Sequence, residues 1–256
     1  MQILLSNDDG ILAPGLAALH RELAELGEVT VVAPESAQSA AAHAITLEGP
    51  LAVRQVHVQD QFVGYSVEGR PADCVKLAIT ELLDGPPDLV VSGINDGANV
   101  SINVLYSGTV AAAAEGALLG YPAVAVSLRQ GVERDFNRAA KIARPIIKKL
   151  LDTGLSAGEL ININITDLTQ GSPRGKRVVP QATRMIEDKY DLHTEPDGRD
   201  YYWLMTPSDF EHVEDDVDSD LAALNERYIT ITPLHFDLTH YEHLKMLRQE
   251  DWMLEL

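Results

Sequence analysis

The stretch Ile3-Leu4-Leu5-Ser6-Asn7-Asp8-Asp9-Gly10 decides the fold of this chain. It starts with a short apolar run and is bounded by a glycine, a pattern typical of a buried strand in a parallel sheet. Ligands of open α/β sheets bind at the carboxyl ends of such strands. Asp8 and Asp9 stand at that end, where two adjacent carboxylates are costly unless a cation lies between them. We therefore expect a divalent metal site, although capping of the next turn would explain one aspartate by itself.

Apolar residues alternate between strand and helix patterns along the first two thirds of the chain. Buried strands are predicted at 3–5, 29–33, 88–92, 123–127 and 160–165, and helices at 13–26, 72–83, 107–119 and 138–151. Two alternating segments, 44–58 and 62–68, predict a β-hairpin inserted beside the main sheet. This order of elements indicates an α/β fold with a doubly wound, mostly parallel sheet.

The character of the sequence changes after about residue 168, where glycine, proline and charged residues become frequent. Strands are predicted at 201–204 and 228–232, and an amphipathic helix at 240–256 that carries Leu244, Leu247 and Trp252. Such an extension is too thin to hold a core of its own. We therefore expect a core at 1–168 and an extension at 169–256 that packs back on this core or on another subunit. The acidic segment 211–220 is predicted to be solvated surface.

Composition and charge exclude several classes of protein. The 256 residues are 45% hydrophobic, enough for a large core, and include no apolar run long enough to span a membrane. The N-terminus enters the first strand directly, so no signal peptide is predicted. With 39 acidic residues against 20 Lys and Arg, the net charge of −19 argues against binding along a nucleic acid. Cys74 is the only cysteine, which excludes an internal disulfide and fits a reducing cytoplasm.

Three polar loops each follow a parallel strand and therefore lie at one edge of the sheet. They are the turn at the two aspartates, the 34–43 loop and the 93–106 loop. Asn95 closely follows a strand end, so its amide oxygen can meet both carboxylates around one cation, and the hydroxyl of Ser39 adds another oxygen. Such ligands suit Mg²⁺, Mn²⁺ or Ca²⁺ rather than zinc. Taken alone, Asn95 is better explained as a turn residue.

A phosphate-binding helix terminus is predicted directly after the third loop. Ser107, Gly108 and Thr109 open a helix, where glycine allows close backbone approach and two hydroxyls add donors at a positive helix end. Metal-binding carboxylates that face such a terminus suit phosphoryl chemistry. Ordinary capping explains Ser107 equally well by itself. His43 lies in the 34–43 loop and is a further candidate contact for a ligand.

Other functional classes are less well supported by the sequence. No dinucleotide motif, Walker A motif or nucleophile elbow is present. An acidic pair after the first strand is also typical of Mg²⁺-binding phospho-receiver modules, in which Asp96 would be the phosphorylated residue. The chain is about twice the length expected of such a signalling module. A metal-stabilised binding protein without turnover is the third hypothesis.

The chain resembles the SurE family of survival-protein 5′-nucleotidases over nearly its whole length. The motifs that carry the resemblance are Ser6-Asn7-Asp8-Asp9-Gly10, Pro71-Ala72-Asp73-Cys74-Val75-Lys76, Ser92-Gly93-Ile94-Asn95 with Gly97 and Asn99, Tyr106-Ser107-Gly108-Thr109-Val110, Tyr201-Tyr202-Trp203, and Ile231-Thr232-Pro233-Leu234 with Asp237-Leu238-Thr239. No single motif is decisive, but their joint order and spacing are highly specific.

This resemblance implies a Rossmann-like domain with a C-terminal oligomerisation extension, assembled as a homodimer or homotetramer. It implies a divalent-metal-dependent phosphatase for nucleoside 5′-monophosphates, with 3′-monophosphates or short polyphosphate as further possible substrates. The implied ligands of one Mg²⁺ or Mn²⁺ ion are Asp8, Asp9, Ser39 and Asn95, and the implied phosphate contacts are Ser107, Gly108 and Thr109. We assign catalysis to Asp8, Asp9 and Asn95. One aspartate orients or deprotonates the attacking water, and attack by an aspartate carboxylate itself is the open alternative.

Two departures from the family pattern lie near these residues. Ala40 stands where the family often has a glycine after the metal-binding serine, which predicts a stiffer loop. The tripeptide at 101–103, Ser-Ile-Asn, stands where Gly-Asp-Asp is common, so two acids are missing near the site. Neither change affects an implied metal ligand.

Overall fold

A computed structural model of the chain describes residues 1–58, 60–183, 189–205 and 218–250. The helices in these ranges are α1 (Pro14–Leu23), α2 (Pro71–Leu77), α3 (Gly108–Leu118), α4 (Phe136–Asp152), α5 (Asp220–Asn225) and α6 (Tyr241–Leu247). The strands are β1 (Gln2–Ser6), β2 (Glu28–Pro34), β3 (Val53–Val58), β4 (Phe62–Val67), β5 (Leu89–Asp96), β6 (Ala123–Leu128), β7 (Leu160–Ile165), β8 (Gly175–Val178), β9 (Lys189–Thr194), β10 (Asp200–Met205) and β11 (Tyr228–Leu234). A π-helical turn at Ala78–Leu82 follows α2, and a 3-10 helix at Ser101–Leu105 precedes α3.

Nine of the described strands form one sheet in the order β3-β4-β2-β1-β5-β6-β7-β11-β8. The six strands from β4 to β7 in that order are parallel, whereas β3 pairs antiparallel with β4, and β11 pairs antiparallel with β7. The strands β9 and β10 form a separate antiparallel hairpin. The prediction of an α/β fold with a mostly parallel sheet is confirmed.

Helices cover both faces of the sheet, so the fold is doubly wound. Ile3 and Leu5 pack on the face that carries α1 and α4, while Leu4 packs on the opposite face with α2 and α3. All three side chains are at most 1% exposed, and burying each contributes about 1.5–3 kcal/mol. Because the central strands are buried on both faces, their apolar runs are continuous rather than alternating. Cys74 lies in the second core, where burial raises the pKa of its thiol, as expected of a structural cysteine.

The predicted hairpin belongs to the main sheet rather than lying beside it. Its second strand, β4, pairs parallel with β2 and thereby extends the sheet at one edge. Of the alternating segment 44–58, only Val53–Val58 forms a strand. Alternation alone does not separate an extended loop from a paired strand, which is why the prediction was too long.

The strand predicted at 88–92 continues beyond its expected end, as β5, to Asp96. Its register with β6 shifts between Gly93 and Asn95. A Cβ atom at Gly93 would lie 2.2 Å from the carbonyl oxygen of Val126, so only glycine allows this close backbone approach. Asn95 and Asp96 are therefore held on a strand, and the prediction that they belong to a loop was wrong.

Strands β8 and β11 of the C-terminal region extend the main sheet beyond β7. The strands predicted at 201–204 and 228–232 are confirmed as β10 and β11. The elements β8, β9 and α5 were not predicted. Helix α6 ends at Leu247, earlier than predicted, and residues 251–256, Trp252 among them, lie outside the described residues. No helix in the described ranges is long and apolar enough to cross a membrane.

Asp220 contradicts the expectation that the acidic segment is solvated. It is fully buried, and its carboxylate accepts hydrogen bonds from the backbone N–H groups of Ser101 at 3.1 Å and Ala182 at 2.9 Å. Residues 211–217 of that segment lie outside the described residues. Charge-assisted bonds of this kind are strong. Asp220 therefore fastens the 3-10 helix to the C-terminal region.

Candidate functional site

A cavity of about 460 Å³ opens at the carboxyl edge of β1 and β5, and we call it the aspartate cavity. It is lined by Asp8, Asp9, Ser39, Ala40, Asn95, Asp96, Ala98, Asn99, Asn103, Tyr106, Ser107 and Leu204. The four residues predicted as oxygen ligands are all in this lining, and so is Ser107 from the predicted phosphate contacts. Three segments of this lining meet at one edge of the sheet because each follows a parallel strand, and Leu204 of β10 adds a fourth segment.

Asp8 is the most buried acid of the cavity, at 6% exposure. The Thr109 hydroxyl donates a hydrogen bond to its Oδ1. Burial raises the pKa of Asp8 to about 6, the Thr109 hydrogen bond opposes this rise, and the neighbouring charge of Asp9 adds to it. A cation that neutralises the pair would remove the cost of the buried charge.

Asp9 and Asn95 each keep an oxygen atom free of the hydrogen bonds that hold them. The backbone N–H of Asp96 donates to Oδ2 of Asp9 at 3.2 Å. Burial raises the pKa of Asp9, as does the Asp96 charge to a smaller extent, while that backbone bond opposes the rise. The side-chain amide nitrogen of Asn95 donates to the carbonyl oxygen of Gly97 at 2.8 Å, a bond that does not use the amide oxygen.

The 34–43 loop brings Ser39 to the cavity and is fastened at both ends. The Gln38 N–H donates to the Asp8 carbonyl oxygen at 2.7 Å, and the Ala42 N–H donates to the Tyr106 carbonyl oxygen at 3.0 Å. Ala40 and Ala42 both adopt left-handed backbone angles, with φ of 55° and 51°. Such angles are costly for residues other than glycine.

His43 lies outside the aspartate cavity. Its Nε2 is 2.8 Å from Oε2 of Glu115, a nearly buried acid on α3 that also pairs with Lys76 at 2.8 Å. The hydrogen bond from His43 is the main cause of a lowered pKa of Glu115, with Lys76 contributing further. His43 lines a separate, mostly apolar cavity of about 300 Å³ that shares Ser107 with the first one.

The start of α3 packs directly against Asp8. The Ser107 hydroxyl caps the helix by accepting the Val110 N–H at 3.0 Å, as predicted for an N-cap residue. A Cβ atom at Gly108 would lie 2.7 Å from the Cβ of Asp8, so the absence of a side chain there allows the contact. Thr109 is fully buried, and its hydroxyl donates a hydrogen bond to the Asp8 carboxylate. The positive end of α3 thus stabilises an Asp8 carboxylate.

The donor set fits a hard divalent cation. Two carboxylates, an amide oxygen and a hydroxyl line the cavity, and none of them is a soft ligand. In the ranges that the structure describes, no group of three or more Asp, Glu, His or Cys side chains is suited to a metal. Within those ranges, Asp, Glu, His and Cys side chains alone therefore do not make up a metal site at the aspartate pair.

Sequence reasoning named Asn99 as part of a family motif but missed the contacts that it makes with the neighbouring strands. The amide of Asn99 donates to the Ser127 hydroxyl at 2.8 Å, and its backbone N–H donates to the Asn164 side-chain oxygen at 2.7 Å. Glu115 was also missed. Two signals were available: asparagines within the apolar strand at 160–165, and one acid within the alanine-rich helix α3.

Comparison with known proteins gives consistent matches along the chain. A family model described as survival protein SurE matches residues 3–188. A 5′-nucleotidase SurE of Rhodopirellula baltica is 47% identical over 256 residues, covering 99% of each chain. A 5′-nucleotidase SurE of Syntrophobacter fumaroxidans is 44% identical over 247 residues, covering 96% of this chain and 98% of the relative. The crystal structure of the SurE protein from Aquifex aeolicus has a TM-score of 0.83 and 36% identity, covering 97% of this chain and 99% of that one.

Proposed function

This chain belongs to the SurE family, and from that premise we propose that it is a 5′-nucleotidase that hydrolyses nucleoside 5′-monophosphates to nucleoside and phosphate. The observation that carries the assignment of the site is the aspartate cavity, where Asp8, Asp9, Ser39, Asn95 and Ser107 come together. 3′-Monophosphates and short polyphosphate are further proposed substrates.

One divalent cation, Mg²⁺ or Mn²⁺, belongs to this proposal. Its ligands are oxygen atoms of Asp8, Asp9, Ser39 and Asn95, and the raised pKa of Asp8 supports a site designed for a positive charge. When bound, the cation supplies Lewis-acid neutralisation of the charge on the phosphate oxygens.

The protein's own groups divide the remaining work. The Ser107 hydroxyl accepts the helix N–H with its oxygen, so its own hydrogen is available to donate to a phosphate oxygen. Gly108 and Thr109 keep the N-terminus of α3 against the cavity, where its backbone dipoles favour an anion. Asp8 or Asp9 orients or deprotonates the attacking water, and direct attack by a carboxylate is the alternative within the same site. His43 is proposed as a substrate contact on the far side of Ser107.

The test is phosphate release from a panel of nucleoside monophosphates. Protein stripped with EDTA should be inactive and should recover turnover with Mg²⁺ or Mn²⁺. Asp8→Asn and Asp9→Asn should each lower the rate at least about 100-fold. Asp152→Asn is the matched control, because Asp152 is exposed and pairs with Lys148 on the surface of α4. Near-normal turnover in either cavity variant would show that the site is wrongly assigned.

The signalling hypothesis receives no support from the proposed phosphate acceptor. Both carboxylate oxygens of Asp96 accept hydrogen bonds from Arg134, at 2.8 and 2.9 Å. A receiver needs an acceptor that is available to a phosphodonor. The relatives that match along the whole chain are nucleotidases.

We also propose that residues 1–168 form the catalytic core and that residues 169–256 form an extension used in subunit assembly. The proposed assembly is a homodimer or homotetramer. In support, β9 and β10 pair with each other and, among the described strands, not with the main sheet. The exposed large side chains of this hairpin are Tyr190, Leu192, Tyr201, Tyr202, Trp203 and Leu204. Apolar surface of this kind is typical of subunit contacts. The cytoplasm is the proposed location, on the strength of cysteine usage alone.

A further inference from the structure

A second polar cavity, of about 450 Å³, lies beside the aspartate cavity and has no part in the proposed function. It forms where β6 and β7 end, at the same carboxyl edge of the sheet, and we call it the arginine cavity. Three guanidinium groups line it, those of Arg129, Arg134 and Arg227. Asp96 borders both cavities, because it lines the first and binds Arg134 of the second.

Arg129 is buried there with spare hydrogen-bonding capacity. It is only 9% exposed, and its Nη1 donates to the side-chain oxygen of Asn225 at 2.9 Å. Its Nη2 is buried and meets no hydrogen-bond partner among the residues that the structure describes. A buried guanidinium without a full set of partners is costly. The cost is removed when an anion binds.

Arg227 is a second lining residue with a buried donor. Its Nη2 donates to the carbonyl oxygens of Gln170 at 2.7 Å and Ser172 at 3.2 Å. Its Nε is buried and, within the described ranges, has no partner. Its backbone is left-handed, with φ of 67°, as is common for the residue that terminates a helix, here α5.

The charges of the cavity leave a positive surplus. Asp96 uses both oxygens on Arg134, so that pair is neutral. Asp167 is the remaining acid in the lining, and its carboxylate accepts the N–H and hydroxyl of Thr169 at distances of 2.7 to 2.8 Å. Two guanidinium groups therefore face one carboxylate, in a chain whose net charge is −19.

We propose that the arginine cavity binds a phosphate group, at a site separate from the aspartate cavity. Guanidinium groups recognise phosphate through paired N–H donors, and the two spare donors supply that chemistry. The volume suits a small ligand. The phosphate is either free inorganic phosphate or the phosphate of a nucleotide, since both present the same oxygens.

The test is calorimetric titration of inorganic phosphate into the full-length protein in EDTA, where the Asp8 and Asp9 carboxylates oppose an anion. Arg129→Gln should weaken binding at least about tenfold, because it removes the charge and the buried donor. Gln170→Glu places a carboxylate at the exposed rim without touching Arg129, and should weaken binding about threefold or more. Arg199→Gln is the control, because Arg199 is exposed and pairs with Asp197 at the end of the hairpin.

Nucleotide and nucleoside identify the source of the phosphate. AMP that binds more tightly than phosphate in EDTA, while adenosine does not bind, assigns the site to nucleotides. Equal affinities for AMP and phosphate assign it to free phosphate. Absence of phosphate binding to the wild type, or unchanged affinity in Gln170→Glu and in a folded Arg129→Gln protein, overturns the proposal. Asp8→Asn protein, which is expected to be inactive, should still bind phosphate. That result would show that phosphate binding at the arginine cavity does not depend on the proposed hydrolysis at the aspartate cavity.

Discussion

Asp8 is ionised at neutral pH only at a cost in stability, because burial raises its pKa to about 6 from 3.8. Above pH 6 the folded state holds a buried charge that the unfolded state keeps in water. Asp8→Asn should therefore raise the free energy of unfolding of metal-free protein at pH 7 by about 1–3 kcal/mol. The sign follows from the raised pKa of Asp8. The stability gained by Asp8→Asn is full above pH 6, shrinks between pH 6 and 4, and disappears below the pKa values of Asp8 in the folded and unfolded states.

The measurement is urea denaturation in EDTA at pH 7.5, 5 and 3.5, with Asp152→Asn as the exposed control. Saturating Mg²⁺ or Mn²⁺ should then stabilise the wild type and not the variant, because a ligand stabilises only the state that binds it. A variant less stable than the wild type in EDTA at pH 7.5 would contradict this account of Asp8.

Ala40 allows a second test at the residue scale. Its φ of 55° is costly for alanine and free of strain for glycine. Ala40→Gly should raise the free energy of unfolding by about 0.5–1 kcal/mol, after the greater entropy of glycine in the unfolded chain is subtracted. Ala41→Gly is the control in the same loop, because Ala41 is not left-handed, and it should destabilise the protein. Equal effects of the two substitutions would contradict the strain at Ala40.

The two departures from the family pattern show what the sequence could predict about single residues. Their positions were identified, but the consequence was described as loop stiffness and missing acids. In the structure Ala40 and Ser101 both have left-handed backbones, with φ of 55° and 57°. Backbone angles of this kind depend on tertiary contacts, such as the hydrogen bond from the Ser101 N–H to the Asp220 carboxylate. A local sequence pattern does not predict such contacts.

At the scale of elements, the contact between α3 and β1 depends on Gly108. A methyl group there would meet the Asp8 Cβ at 2.7 Å and its Oδ2 at 2.9 Å. Gly108→Ala should therefore displace Asp8 and lower both metal affinity and the hydrolysis rate by about tenfold or more, while the helix itself is favoured by alanine. Metal titration and steady-state kinetics measure the two effects. Gly85→Ala is the control, because a Cβ at Gly85 has open space around it.

Elements with a clear period were predicted well, and elements held by polar contacts were not. The run at 160–165 was correctly predicted as a buried strand, and its asparagines signalled buried polar contacts without identifying the partner. Asn162 and Asn164 both donate to the Asn99 carbonyl oxygen, at 2.8 and 3.0 Å, and so hold the loop that follows β5. Periodicity reports which face is buried, and it says nothing about which buried polar atoms meet.

At the scale of the whole molecule, the hairpin of β9 and β10 predicts assembly. Trp203 is 65% exposed and Tyr202 is 64% exposed, which is unusual for such large side chains on an isolated two-stranded sheet. A Tyr202→Ser, Trp203→Ser double variant should shift the protein to a smaller assembly in analytical ultracentrifugation. Replacing the exposed Leu47, which lies far from the hairpin in sequence, by Ser is the control. A monomeric wild type would contradict the proposed assembly.

The bond between Asp220 and Ser101 joins residues that are 119 positions apart. A chain made on the ribosome has its aspartate pair and Asn95 long before Asp220 is synthesised, and folding generally begins from the N-terminal side. Strand β11, which covers the edge of β7, appears later still. The growing polypeptide therefore carries its reactive groups for most of translation without the carboxylate that braces the neighbouring 3-10 helix. The 3-10 helix beside the aspartate cavity is therefore braced only after Asp220 has been made, near the end of synthesis.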